Sequence, residues 1–239
     1  VEPGVTFEQF QGALMEKGFR VMIPFGVPPR RSVLTSFLER DLAMAAPSFE
    51  SGNFLIMDTE LVLPDGELFK TGIWCAGGRP AGPMGPVKSV IFRLWTAAQG
   101  TLGIMTKMNV KIEPFIKARK MYFISFSARA DALEPLKRIQ RREIGMECFL
   151  INRFNLAALL SHEWAVPETF PAAPKPSESF ERYRGILPPW VLALCINGAP
   201  RHPEEKIAYE TEALKEVCYG LNVELKESLP QVSGLNRLM

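Results

Sequence analysis

The sequence predicts an α+β protein, and three observations carry that prediction. Over Asn53 to Leu63 the residues Leu55, Met57, Thr59, Leu61 and Leu63 alternate with Ile56, Asp58, Glu60 and Val62, and Ile104 to Ile112 alternates likewise, the period-two pattern of strands. In the second half, apolar runs and helix-spaced apolar residues follow one another as strand, helix, strand, twice over. The 239 residues are 47% hydrophobic and 23% charged, enough for one large or two ordinary packed domains and too apolar for a disordered chain.

The first element is a short amphipathic helix over Val5 to Gly18. Thr6 precedes Gln9 at capping-box spacing, Phe7, Phe10, Leu14 and Met15 recur at helical intervals, and Gly18 closes it. Phe19 to Pro24 reads as extended and runs into the stiff connection Pro24-Phe25-Gly26-Val27-Pro28-Pro29. The strand over Asn53 to Leu63 meets Pro64-Asp65-Gly66, where Pro presets one turn dihedral and Gly accepts a positive φ. Leu68 to Thr71 is then the returning strand of an antiparallel hairpin. Gly72 to Pro86 holds five glycines and three prolines in fifteen residues, which predicts a long loop without regular structure.

Ser89 to Trp95 is apolar again, and Gln99-Gly100-Thr101-Leu102-Gly103 is a glycine-punctuated turn into the strand at Ile104 to Ile112, which Pro114 stops. A domain boundary falls near Glu113 to Lys120, dividing the chain into 1–114 and 115–239. Beyond it come a strand at Met121 to Phe126 and a helix at Asp131 to Glu143 with Leu133, Leu136 and Ile139 on one face. A strand at Cys148 to Ile151 and a short helix at Asn155 to His162 follow. Val166 to Pro189 is proline-rich and reads as an exposed connection. Trp190 to Ile196, Pro203 to Tyr219 and Asn222 to Lys226 are strand, helix and strand. This order matches a ferredoxin-like split βαβ unit with an insertion.

Several function classes lose support at once. A net charge of +2 supplies no field to recruit nucleic acid or anionic lipid, and Tyr122 and Phe149 do not stand in ribonucleoprotein-type motifs. No apolar run nears the roughly 18 residues that cross a bilayer, and no signal-peptide pattern opens the chain. Cys75, Cys148, Cys195 and Cys218 are widely spaced, which favours reduced, buried thiols in a cytoplasmic protein over a zinc site or disulfide framework. His162 and His202 are the only histidines and lack partners at ligand spacing, so no metal is expected; no G-x-S-x-G elbow is present either.

Glycine turns are more informative, because their amides can approach a cofactor that side chains would block. Gly77 to Gly85 lacks both the G-x-G-x-x-G and the Walker pattern. Gly100-Thr101-Leu102-Gly103-Ile104 stands just before a well-patterned strand. Together with Val1-Glu2-Pro3-Gly4-Val5-Thr6 and Leu61-Val62-Leu63-Pro64-Asp65-Gly66-Glu67, it resembles three successive motifs of the FAD-linked oxidases, the vanillyl-alcohol oxidase and p-cresol methylhydroxylase superfamily. The motifs occur in that family's order and approximate spacing.

The resemblance implies the second half of a FAD-binding domain of the p-cresol methylhydroxylase type, followed by a ferredoxin-like substrate or cap domain. It makes Pro3, Gly4, Gly100, Thr101, Gly103 and Ile104 candidate contacts to the adenine and pyrophosphate side of FAD. The flavin-proximal segment of the family falls on Ser32 to Ser36, where Thr35 and Ser36 stand in place of its usual glycine pair and offer hydroxyls to a ribityl or phosphate oxygen. Glu39, followed by Arg40, takes the place of an acidic residue near the flavin ring and is the candidate catalytic group. The family's first phosphate loop would precede Val1, so the chain reads as a piece of a larger enzyme oxidising a phenolic alcohol or 2-hydroxy acid as its small-molecule substrate. The alternative is a non-catalytic binding or assembly module of the same fold, acting as a homo-oligomer or with a complementing chain.

Overall fold

The computed structural model describes residues 1–24, 27–41, 55–77, 91–161, 177–229 and 232. The chain divides into two compact units, the first ending at Phe115 and the second beginning at Ile116.

In the first unit, helix α1 (Phe7–Met15) starts at the predicted capping box: the Thr6 hydroxyl accepts from the Gln9 amide, and the Gln9 side chain accepts from the Thr6 amide. The predicted extended segment shrinks to β1 (Phe19–Arg20). Helix α2 (Val33–Leu38) was not anticipated; Ser32 caps it by accepting from the Thr35 amide, and its Val33, Leu34 and Phe37 are buried. Phe7 and Phe37 meet edge-to-face with ring centres 5.8 Å apart, fixing α2 against α1.

The sheet consists of β2 (Ile56–Val62), β3 (Leu68–Lys70) and β4 (Ile104–Val110), ordered β3-β2-β4 with antiparallel neighbours. Gly66, at φ 89°, donates to the Leu63 carbonyl and closes the predicted hairpin. Of the strand expected from Asn53, residues 53 and 54 lie outside the described residues. The Ile104 strand stops at Val110 rather than Ile112. Glu113 and Pro114 form β5, which pairs with β1, so Pro114 sits on an edge where its missing N–H costs nothing. Gly72–Ala76, expected to be irregular, is a short 3-10 helix. The carboxylate of Asp58, buried on β2, accepts from the Ile73 amide and the Asn109 side chain and holds that helix down. Most of the remaining glycine-rich loop lies outside the described residues.

The second unit has β6 (Arg119–Phe126), α3 (Leu133–Arg141), β7 (Glu147–Asn152), α4 (Arg153–Leu160), α5 (Glu178–Ile186), β8 (Trp190–Asn197), α6 (Pro203–Gly220) and β9 (Leu225–Lys226). The strands run β7-β8-β6-β9, every neighbour antiparallel, which is the ferredoxin-like arrangement. Tyr122, Ile124, Leu192 and Leu194 form one face of the sheet and pack against Ile139, Leu214 and Val217 of α3 and α6. Tyr122 and Phe149 are both buried.

Three expectations need correction. The proline-rich stretch before Pro189 contains α5, whose Phe180 and Tyr183 are buried, because Ser177 caps a helix that the flanking prolines do not interrupt. Leu133 is exposed rather than packed with Ile139, since α3 begins only there after a 3-10 turn that shifts the helical face. Cys75 is exposed, unlike the buried Cys195 and Cys218, and all four thiols are free. Among the described residues, no helix is long and apolar enough to cross a membrane, and no cluster of three potential ligands could hold a metal. His202 is an exposed residue at the start of α6 beside Glu205; His162 lies outside the described residues.

Candidate functional site

Three segments of the first unit, far apart in sequence, enclose one hollow of about 480 Å³. The first is the turn over residues 2–5, with Gly4 at φ 87° and Val5 donating to the Glu2 carbonyl. Backbone bonds between Val1 and Met108 tie this turn to β4, and the Val33 amide, bonding the Val5 carbonyl, ties it to α2. The second segment is α2 itself. The third is the run from Trp95 into β4, docked on α2 where the Ala97 amide donates to the Leu38 carbonyl. Arg40 reinforces that junction by donating from Nε and Nη2 to the Thr96 hydroxyl at 3.2 and 3.0 Å.

Of the residues predicted from sequence, Pro3, Thr35, Glu39, Gly100, Gly103 and Ile104 line this hollow. Gly4, Thr101 and Ser36 are not among its lining residues. Gly4 supplies the turn that presents Pro3. The Thr101 hydroxyl donates to the Ala98 carbonyl at 2.7 Å and closes the glycine turn on itself. Ser36 is fully buried and donates to Asp41 Oδ2 at 2.7 Å, so its hydroxyl is spent inside the unit, where the helical turn of α2 carries it away from Thr35.

The hollow also contains residues that motif reading missed. Leu34, Trp95, Ala97 and Gln99 line it. Leu34 was legible in principle, since Ser32 followed by Val33, Leu34 and Phe37 is a capped helix with apolar spacing. Nothing in the sequence marks Ala97 and Gln99, which take φ 61° and 49°, values uncommon for residues with a Cβ. With Gly100 at 80° and Gly103 at 147°, four positive dihedrals fall within seven residues on one wall. Gly100 and Gly103 adopt such angles freely, so the backbone strain on this wall sits at Ala97 and Gln99.

Gly103 has a second duty. A Cβ there would lie 2.7 Å from the Val62 carbonyl oxygen and 2.9 Å from Leu61 Cδ1, so the residue permits β4 to join β2. Gly100 faces no such obstacle and is required only by its dihedral.

Electrostatically, Glu39 is the one charged residue among the described residues lining the hollow. It pairs with Nη2 of Arg31, whose Nε reaches Asp41 Oδ2 at 2.8 Å. That hydrogen bond to Glu39, helped by Asp41, raises Arg31 above its ordinary value and keeps it charged. The Glu39 carboxylate is thereby positioned as an acceptor for a hydroxyl or amine. Trp95 contributes an aromatic wall, itself backed by Phe69 with ring centres 5.4 Å apart. Ile104 is 70% exposed at the rim and shares one cross-strand row with Val62 and the exposed Leu68.

No family model matches the sequence. A 1'-carboxy-chondrochloren decarboxylase from Chondromyces crocatus is 27% identical over 129 residues, covering 52% of this chain and 23% of that protein. Structural likeness is broader. A p-cresol methylhydroxylase with substrate bound superposes at a TM-score of 0.72 and 19% identity, over 100% of this chain and 47% of its own. A 4-ethylphenol oxidase from Gulosibacter chungangensis in complex with isoeugenol gives a TM-score of 0.67 at 20% identity, covering 98% and 45%. An alkyldihydroxyacetonephosphate synthase gives 0.63 at 12% identity, covering 96% and 39%. The chain thus spans less than half the length of each of these structures. Over nearly its whole length the chain has the fold of these structures, that of p-cresol methylhydroxylase among them.

Proposed function

We propose that the hollow of the first unit forms one wall of a FAD site, and that the chain is part of a FAD-dependent oxidoreductase acting on a phenolic alcohol or 2-hydroxy acid. The observation that carries this reading is the convergence of Pro3, Thr35, Glu39, Gly100, Gly103 and Ile104 on one concave surface.

The residues suit part of the cofactor. An aromatic wall at Trp95, strained main chain at Ala97 to Gly100 and a carboxylate acceptor at Glu39 match a flat heterocycle and sugar or ribityl hydroxyls. With no Lys, Arg or His among its described lining residues, the hollow is a poorer match for a diphosphate. When bound, a flavin supplies the two-electron acceptor for oxidation of an alcohol carbon. The chain's own residues then have narrower tasks: Glu39 accepts a hydrogen bond, Thr35 offers a hydroxyl, and Leu34, Trp95 and Ile104 exclude water.

Because the matching structures are about twice as long, this chain on its own is expected to bind FAD weakly and to lack turnover. Titration of the purified chain with FAD, followed by flavin fluorescence, tests the reading. Saturable weak quenching, lost in Ile104→Glu at the rim, supports it. Absence of quenching at any concentration removes it, and a yellow cofactor that survives gel filtration refutes the one-wall description.

A second reading, a non-catalytic assembly module, draws on the exposed Leu68 and Ile104 that flank half-buried Val62 and on β7, whose outer edge carries no strand among the described residues. Gel filtration with and without FAD separates the two, since FAD-independent self-association favours assembly.

A further inference from the structure

The second unit holds a cavity of its own, of about 580 Å³, where the last pair of the β7/β8 ladder, Asn152 and Trp190, meets the start of α4 and the end of α5. The described residues that line it include two arginines, Arg153 and Arg184, and no acidic residue.

Arg153 is the unusual member. Its amide donates to the Pro189 carbonyl at 2.9 Å, which fixes the backbone. Its Nε is shielded from solvent and has no hydrogen-bond partner. Shielded donors are normally paired, and a guanidinium donor is costlier to leave unpaired than a neutral one. Arg184 gives Nη2 to Glu181 at 3.0 Å, an exposed pair one helical turn away, and its other donors remain available to a ligand. Apolar surface completes the lining. Trp190, Pro189 and Phe154 stand beside the arginines, and Phe154 is held edge-to-face on Phe180 with ring centres 5.1 Å apart. Next to Arg184 on α5, Gly185 leaves space: a Cβ built on it meets no heavy atom within 4 Å.

We propose that this cavity binds a small aromatic carboxylate, its carboxylate received by Arg153 and Arg184 and its ring lying against Trp190 and Phe154. Paired guanidinium groups suit a planar, bidentate anion, and adjoining aromatic surface suits a flat ring. The cavity volume falls in the range of small-molecule sites. All its described lining residues belong to the second unit, and the site does not depend on the flavin reading.

Calorimetric titration of the full chain with benzoate tests the proposal, with inorganic phosphate and benzyl alcohol as comparison probes. Benzoate is expected to bind, with benzyl alcohol and phosphate each weaker by roughly tenfold or more, because each lacks one half of the match. Arg153→Gln is expected to weaken benzoate by roughly tenfold. As Arg153 also begins a helix, Gly185→Leu provides a second variant: it fills the open space, replaces a helical glycine with a better helix former and should abolish binding without lowering the unfolding temperature. No binding of benzoate, equal binding of phosphate, or binding unchanged in both variants overturns the proposal.

Discussion

Gly103 lies so close to the carbonyl oxygen of Val62 that an added Cβ would come within 2.7 Å of it. Since that carbonyl belongs to the central strand of the sheet, the obstacle cannot swing aside as a flexible side chain would. Gly103→Ala is therefore expected to destabilise the first unit by about 3 kcal/mol, from steric conflict added to the unfavourable φ of 147°. Gly100→Ala, with only its φ of 80° to satisfy, should cost about 1 kcal/mol. Thermal unfolding of the two variants side by side checks the ordering.

Asp58 joins three elements through one carboxylate, accepting from Ile73 N at 3.1 Å and Asn109 Nδ2 at 3.0 Å. Asp58→Asn sets two amide groups against each other and should cost about 1–3 kcal/mol. Exchanging the pair, Asp58→Asn with Asn109→Asp, restores a donor facing an acceptor and should recover part of that loss in a double-mutant cycle. Strictly additive losses would show that the bond to Asn109 contributes nothing.

Glu60 gives the first unit a pH-dependent contact. Burial pushes its carboxyl upward, but the Thr106 hydrogen bond with Lys70 and Lys107 outweighs this and leaves it below the ordinary 4.5. A depressed folded value means the stabilisation is complete above pH 4.5 and is lost as pH falls through the folded value. The unfolding-temperature gap between wild type and Glu60→Gln should be widest near neutrality and close in acid.

Thr35 and Ser36 are adjacent yet face different environments, one at the hollow and one on Asp41. Thr35→Val should weaken FAD quenching with little change in stability. Ser36→Ala should cost about 1 kcal/mol of stability and leave the quenching of the folded protein unchanged. Flavin titration together with chemical denaturation distinguishes the two outcomes.

The thiols should react unequally. Burial pushes Cys148 up to about 12 and Cys218 up to about 11, so neither offers appreciable thiolate at pH 8. Cys75 is exposed, with its Sγ donating to the Gly72 carbonyl. One fast equivalent of an aromatic disulfide reagent is expected, and Cys75→Ser should remove it while the other thiols wait for unfolding.

Local chemistry was sufficient to read much of this protein. Thr6 and Gln9 mark the start of α1, Pro64-Asp65-Gly66 marks a hairpin, and the strand and helix order after Lys117 implies the ferredoxin-like sheet, because capping, turn dihedrals and apolar periodicity depend on neighbours in the chain. The family resemblance likewise pointed to six residues that share the hollow: Pro3, Thr35, Glu39, Gly100, Gly103 and Ile104. What only the tertiary structure decided depends on contacts between distant segments. Pro114 joins an edge strand because Phe19 lies alongside it, and Ala97 and Gln99 adopt left-handed backbone because the Leu38 carbonyl holds their loop against α2. Ser36 turns away from its neighbour because Asp41 receives its hydroxyl. Gly103, chosen by motif for a cofactor, proves also to be the residue that lets two strands meet, since the volume a side chain needs is set by whatever the fold brings beside it.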